Sequence, residues 1–148
     1  MGGAGRKPWS VSPSTFRAPT APVSKKALWA GRILSALPAL FLLMDSVGKF
    51  LKPTPVVEGT VKLGYSESIL LPIAIVLLAC TVLYLIPRTS VLGAILLTGY
   101  LGGAVATHAR VGDPLFSHIL FPVYFGVMLW GGLYLRDPRL RELIPLRS

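Results

Sequence analysis

An all-α integral membrane bundle of four helices, threaded up-down-up-down, is the fold this sequence predicts, with a short interfacial helix between spans one and two. Three observations predict it. From Leu28 onward the 148-residue chain consists mainly of apolar blocks about as long as a membrane crossing needs, ~17–25 residues. Charged residues make up only 14% of the chain, against about 25% in a soluble domain. Nearly all of them fall between or outside the blocks, so the missing charge marks the spans themselves.

Residues 1–26 are rich in Pro, Ser, Ala and Thr and have no periodic apolar face. Such a stretch buries too little surface to offset the entropy of ordering, which predicts a disordered cytoplasmic tail. Arg6 and Lys7 lead into Pro13, Pro19 and Pro22 rather than an apolar run, which argues against a secretory signal. The membrane domain then covers residues 27–136.

Span one is expected at about 27–50, with Arg32 one turn inside, where it can snorkel back to the headgroups, and with Pro38 kinking it. Pro53 and Pro55 end it. Over residues 56–67, Val57, Val61 and Gly64 or Tyr65 share one side, while Glu58 and Lys62 pair at i,i+4 on another. That is the pattern of a short interfacial helix, although Gly59 weakens it. Span two, about 68–86, opens with Ser68 as N-cap and Pro72 in the tolerated first turn. Pro87 to Ser90 make a tight turn that returns span three, about 91–109, antiparallel beside it. Gly112 ends that helix, and Asp113 as N-cap with Pro114 at the first helical position starts span four, about 115–135. Residues 137–148 form a basic cytoplasmic tail.

The formal charge of +9 invites comparison with nucleic-acid binders, but those gather their basic residues on one face or stripe. Here the positives sit in tails and short connections, so no nucleic-acid partner is expected and the lipid bilayer is the natural one. With the N-terminus inside, only Lys49, Lys52, Lys62 and Arg110 lie outside, leaving 11 of the 15 Lys and Arg within. Positive charge keeps to the cytoplasmic side, so both termini are expected there. The single cysteine, Cys80, excludes an intrachain disulfide and dithiol chemistry and reads as a small core residue.

Gly93, Gly99, Gly102 and Gly103 in span three, and Gly126, Gly131 and Gly132 in span four, predict close packing within the chain, with a dimer seam as the alternative. Trp29, Trp130 and Tyr134 read as anchors at the cytoplasmic interface.

Ionisable residues inside the spans carry more information. Asp45 and Lys49 lie one turn apart near the outer end of span one, His108 at the outer end of span three, and His118 in the first turn of span four beside Asp113 and Arg110. Antiparallel threading alone brings Asp45, Lys49, His108 and His118 to one depth, with Glu58, Lys62 and Tyr65 placed as a lid. Charge inside a span costs about 2.5–3.5 kcal/mol at its centre, so such residues turn inward and find partners. A fixed Asp45–Lys49 ion pair and interfacial histidines bonded to backbone are the structural accounts of the same residues. Two histidines and a carboxylate in this arrangement match no metal motif, and no nucleophile elbow is present.

Several segments carry a resemblance: Asp45-Ser-Val-Gly-Lys-Phe50, Leu63-Gly-Tyr65, Ile86-Pro-Arg88 before Leu92-Gly-Ala94, the run from Leu97 through Thr107-His108-Ala-Arg110 to Asp113, and Leu133-Tyr-Leu-Arg-Asp-Pro-Arg139. Over residues 28–143 the chain resembles the DoxX-like family of small bacterial integral membrane proteins. The resemblance implies a four-helix bundle in the bacterial cytoplasmic membrane and links wider relatives to quinone-linked respiratory or sulfur-oxidising complexes. It transfers no catalytic residues. Two readings follow: a non-catalytic accessory subunit or small-ligand-binding bundle, or the membrane component of a quinone-linked oxidoreductase alongside other redox subunits. In the second, His108, His118 and Tyr65 would donate to the quinone oxygens. A transporter is a third class, disfavoured because no inverted repeat is apparent.

Overall fold

The computed structural model describes residues 23–143, so most of the expected N-terminal tail and the last five residues lie outside the described part. Six helices follow in order: α1 (Lys25–Leu51), α2 (Thr54–Lys62), α3 (Leu70–Leu85), α4 (Ser90–Arg110), α5 (Phe121–Arg136) and α6 (Pro138–Leu143). A 3-10 turn, Glu67–Ile69, leads into α3, and a π-type turn, Leu115–Ile119, leads into α5. Counting those turns, α1, α3, α4 and α5 each belong to a helix long and apolar enough to cross a membrane.

Helix α1 starts two residues before the expected span because the Ser24 hydroxyl accepts from the Ala27 N–H at 3.2 Å, satisfying a donor that a helix start leaves free. It runs through Pro38 without ending. Lys52 closes it in the left-handed region at φ 49°, just before Pro53 blocks further helix. The helix expected over 56–67 is α2, shorter and shifted towards the N-terminus, with no buried residue. Glu58 and Lys62 stand on it but form no ion pair among the described residues.

The four long helices form a closed ring in which α1 packs on α3 and α5, and α4 packs on α3 and α5. Each neighbour is antiparallel: Gly31 near the start of α1 meets Gly132 and Arg136 near the end of α5, and Gly93 near the start of α4 meets Tyr84 at the end of α3. The threading is therefore up-down-up-down. Both ends of the described chain lie at one end of the bundle, and α2 lies at the other.

Lipid gives helices no hydrophobic reason to associate, so close backbone approach and satisfied polar groups must hold the ring. The core shows both. A Cβ on Gly93 would lie 2.5 Å from Tyr84 Cα and 2.7 Å from Leu83 C. One on Gly132 would lie 2.8 Å from Ser35 N and 2.9 Å from the Gly31 carbonyl. Only glycine fits at either crossing. Beside them the buried Tyr84 hydroxyl lies 2.9 Å from both the Leu129 carbonyl and Ser35 Oγ. Tyr84 is the donor in both contacts, its one proton shared between the two acceptors. Three helices meet at that network. Cys80 lies in the buried core.

The outer surface is what a bilayer demands. Ile33, Leu37, Leu40, Met44, Val47 and Leu51 run down α1 at helical spacing, all exposed. An exposed apolar stripe of that extent belongs against lipid.

Four expectations change. Gly99, Gly102 and Gly103 are not packing glycines, because a Cβ on any of them would meet nothing within 4 Å. Ser68 caps nothing; its hydroxyl pairs with Ser66 Oγ at 2.6 Å. Asp113 is not the cap of span four: Pro114 precedes the π-type turn without a side-chain cap, and the Asp113 carboxylate is held by His108. Residues 138–143 are helix rather than tail. Leu140 is buried and Arg141 donates to the Tyr134 and Leu135 carbonyls at 2.8 and 2.6 Å, which satisfies acceptors at the open end of α5.

Candidate functional site

At the α2 end the ring opens into a cavity of about 490 Å³. Its floor is apolar, made by Phe41 and Leu42 of α1, Ile73 of α3, Leu101 of α4, and Phe121 and Phe125 of α5. The three phenylalanines pack on one another with ring centroids 4.8–5.5 Å apart. Polar groups gather at the mouth: Asp45, Lys49, Thr60, Tyr65, Thr107 and His108. Gly99 and Gly103 line the α4 wall, so two of the three α4 glycines that fail to pack against a helix leave this space open.

Four of the six candidate residues share the cavity. Asp45 and Lys49 form the expected ion pair one turn apart. Tyr65 reaches over from the α2–α3 connection to Thr107 of α4, hydroxyl to hydroxyl at 3.0 Å. His108 lines the wall. His118 stays outside the lining, exposed, with its ring edge-on to His108 at 5.8 Å between centroids and Nδ1 2.8 Å from Ser117 Oγ. Glu58 also stays out, exposed on α2. The structure thus brings His118 against the site but not into it, and leaves Glu58 apart.

Proton counting fixes what the mouth offers. Thr107 gives its hydroxyl proton to the Gly103 carbonyl at 2.9 Å, so the proton between Tyr65 and Thr107 must come from Tyr65. Tyr65 then faces a ligand as an acceptor. His108 Nδ1 lies 2.6 Å from Asp113 Oδ2. That hydrogen bond holds the Asp113 carboxyl below the ordinary carboxylate range against an opposing desolvation, with lesser help from the positive charge that His108, His118 and Lys62 can carry. An ionised Asp113 can only accept, so His108 carries its proton on Nδ1 and keeps Nε2 free as an acceptor in the neutral ring. Lys49, with one of its three N–H groups directed to Asp45, and the Tyr100 hydroxyl, also in the lining, are the donors of the set.

Residue-type reasoning missed two residues that build this arrangement. Asp113 looked fully explained as a cap, because Asp-Pro before a helix is the usual cap pattern; its place five residues beyond His108 was the available signal. Arg110 donates from Nη2 to the Leu63 carbonyl at 2.5 Å and lies 5.9 Å from the Tyr65 ring centroid. It ties the Leu63-Gly64-Tyr65 connection to the end of α4, with Gly64 at φ 83° making the bend. Nothing in spacing along one chain foretells that contact.

Among the described residues no group of three or more His, Cys, Asp or Glu is placed to hold a metal. Comparison with curated proteins and with solved structures gives no significant match. The profile of the DoxX-like family matches residues 33–132, which spans α1 to α5 and includes the Tyr65–Thr107 and Leu63–Arg110 contacts. The chain is a multi-pass membrane protein with four crossing helices, and it belongs to the DoxX-like family.

Proposed function

We propose that this protein is a small-ligand-binding bundle of the bacterial cytoplasmic membrane, non-catalytic in itself, which holds an amphipathic molecule in the cavity at the outer end of the spans. One observation carries the reading: a mainly apolar, aromatic-floored cavity of about 490 Å³ lined by a small number of polar side chains, among them Asp45, Lys49, Tyr65, Tyr100 and His108. Sites for small ligands have this build, a mainly apolar pocket with a few polar groups that fix orientation. The acceptors Tyr65 and His108 and the donor Lys49 suit a polar head that carries a hydroxyl or N–H beside an oxygen acceptor. The charge asymmetry along the chain supports an orientation with the termini, and the end opposite this mouth, on the cytoplasmic side. Binding without turnover also suits an accessory subunit that presents its ligand to a partner.

A quinone-linked role stands as the second reading, favoured by the three clustered phenylalanines, packed edge-on and tilted, which offer aromatic surface to a flat ring. Quinone oxygens need donors. Tyr65 is committed to Thr107 and His118 lies outside the cavity lining, which leaves Lys49 and the Tyr100 hydroxyl, both lining the cavity, for that part.

Mass spectrometry of small molecules that co-purify in native lipid tests both readings. We expect one amphipathic species held by the wild-type protein and depleted at least fivefold from His108→Ala, with unchanged protein yield. No enriched species in the wild type, or equal recovery from the variant, refutes the binding role. A quinone or quinol as the retained species selects the second reading.

A further inference from the structure

A second concavity lies on the other side of α4, away from the cavity mouth. It is a groove of about 660 Å³ between α4 and α5, walled by Leu101, Gly102, Val105, Val123, Gly126 and Val127 and running to Trp130, Tyr134 and Leu140. Its walls are almost wholly apolar. Val123 and Val127 are exposed, and a Cβ on Gly102 would meet nothing within 4 Å. Among the described residues no helix fills the space.

We propose that the groove holds one acyl chain of an anionic phospholipid, with the headgroup at α6. Length is the first argument. From Val123 to Tyr134 the groove follows α5 for 11 residues, ~16 Å at 1.5 Å per residue, close to half the ~30 Å hydrocarbon thickness of a bilayer. It accommodates one leaflet's chain and stops where that leaflet's headgroups begin.

The second argument is the chemistry of its end. Trp130 donates from Nε1 to Thr98 Oγ1 at 2.8 Å, and Tyr134 carries the Arg141 guanidinium 5.6 Å from its ring centroid. Both aromatics belong at an interface. Arg141 Nη1 makes no hydrogen bond among the described residues, and Arg139 next to Leu140 is exposed. Against them stand Asp137, whose Oδ1 already accepts from the Arg139 N–H at 2.9 Å, and, in sequence, Glu142. A phosphate completes the guanidinium's bonding.

A second copy of the chain suits the groove less well. A two-fold dimer across it would place two α6 helices at one depth, each bringing Arg139 and Arg141 towards the other.

The protein is reconstituted in nanodiscs holding equal phosphatidylglycerol and phosphatidylcholine of matched chains, then released for native mass spectrometry. We expect one lipid per chain, with phosphatidylglycerol preferred. Arg139→Gln should cut that preference about fivefold, the equivalent of ~1 kcal/mol for one basic residue at an anionic surface. Gly102→Leu, which fills the groove without touching α6, should cut retention of either lipid at least fivefold. Equal retention of the two lipids by the wild type, or full retention by Gly102→Leu, overturns the proposal. So does a lipid-free dimer, which would mean that a second copy fills the groove. Should Gly102→Leu not fold, Arg139→Gln decides alone.

Discussion

Replacing Gly93 by Ala adds one methyl group where the structure leaves no room. The new Cβ would sit 2.5 Å from Tyr84 Cα and 2.7 Å from Leu83 C, both main-chain atoms that no rotamer change can move. Either α4 shifts away from α3, or the Tyr84 hydroxyl loses its position between Ser35 and Leu129. Over-packing of this kind costs about 1–3 kcal/mol, and the lost polar contact adds about 0.6 kcal/mol. Gly99→Ala is the control on the same helix. Its Cβ meets nothing within 4 Å, so it gains helix propensity, up to about 1 kcal/mol. Unfolding of both variants by SDS titration in mixed micelles should separate them by about 2–4 kcal/mol, with Gly93→Ala the weaker. If the two unfold together, the close crossing of α3 and α4 is not what holds this end of the bundle.

Three further outcomes follow from the same geometry. Tyr84→Phe should lower stability in that titration by about 0.6–1.7 kcal/mol, because Ser35 and Leu129 lose a shared partner; no loss would show the network to be incidental. Asp113→Asn should destabilise the α2 end at neutral pH. Because the Asp113 carboxyl is held below its ordinary value, the wild-type advantage is present above the unfolded value near 4 and disappears as pH falls through the folded one. Thermal melts from pH 7 to 3 that run parallel would contradict this. In a Cys80→Ser background, Gly59→Cys should react with a membrane-impermeant maleimide in intact cells and Arg88→Cys only after permeabilisation. The reverse pattern would invert the proposed orientation.

The sequence made the spans legible because hydropathy and turn residues act locally, and each of the four blocks corresponds to a crossing helix. The depth of the site was legible for the same reason. Asp45, Lys49 and His108 share a cavity because antiparallel threading of helices of known length sets one depth for their ends. What threading does not set is rotation about each axis. Gly93 and Gly99 sit on one helix and look alike in a list of small residues, yet one touches a backbone and the other faces open space. His118 and Glu58 have the right depth and the wrong azimuth or the wrong element. Asp113 had two chemically sound roles, cap and partner of His108, and the π-type turn after Pro114 removed the first by placing no helix start within its reach. The groove beside α6 was hidden because residues 137–148 read as a polar tail, although Leu140 packs into the core.

The central claim is that the cavity between Asp45–Lys49 and His108 is a ligand site rather than a packing defect. An experimental structure of the protein extracted with its native lipid measures it directly. The account predicts continuous density for one molecule, its apolar body against Phe41, Phe121 and Phe125 and its head within hydrogen-bonding distance of His108 Nε2 and Lys49 Nζ. A cavity closed by collapse of the phenylalanines, or one that holds only water, would contradict it.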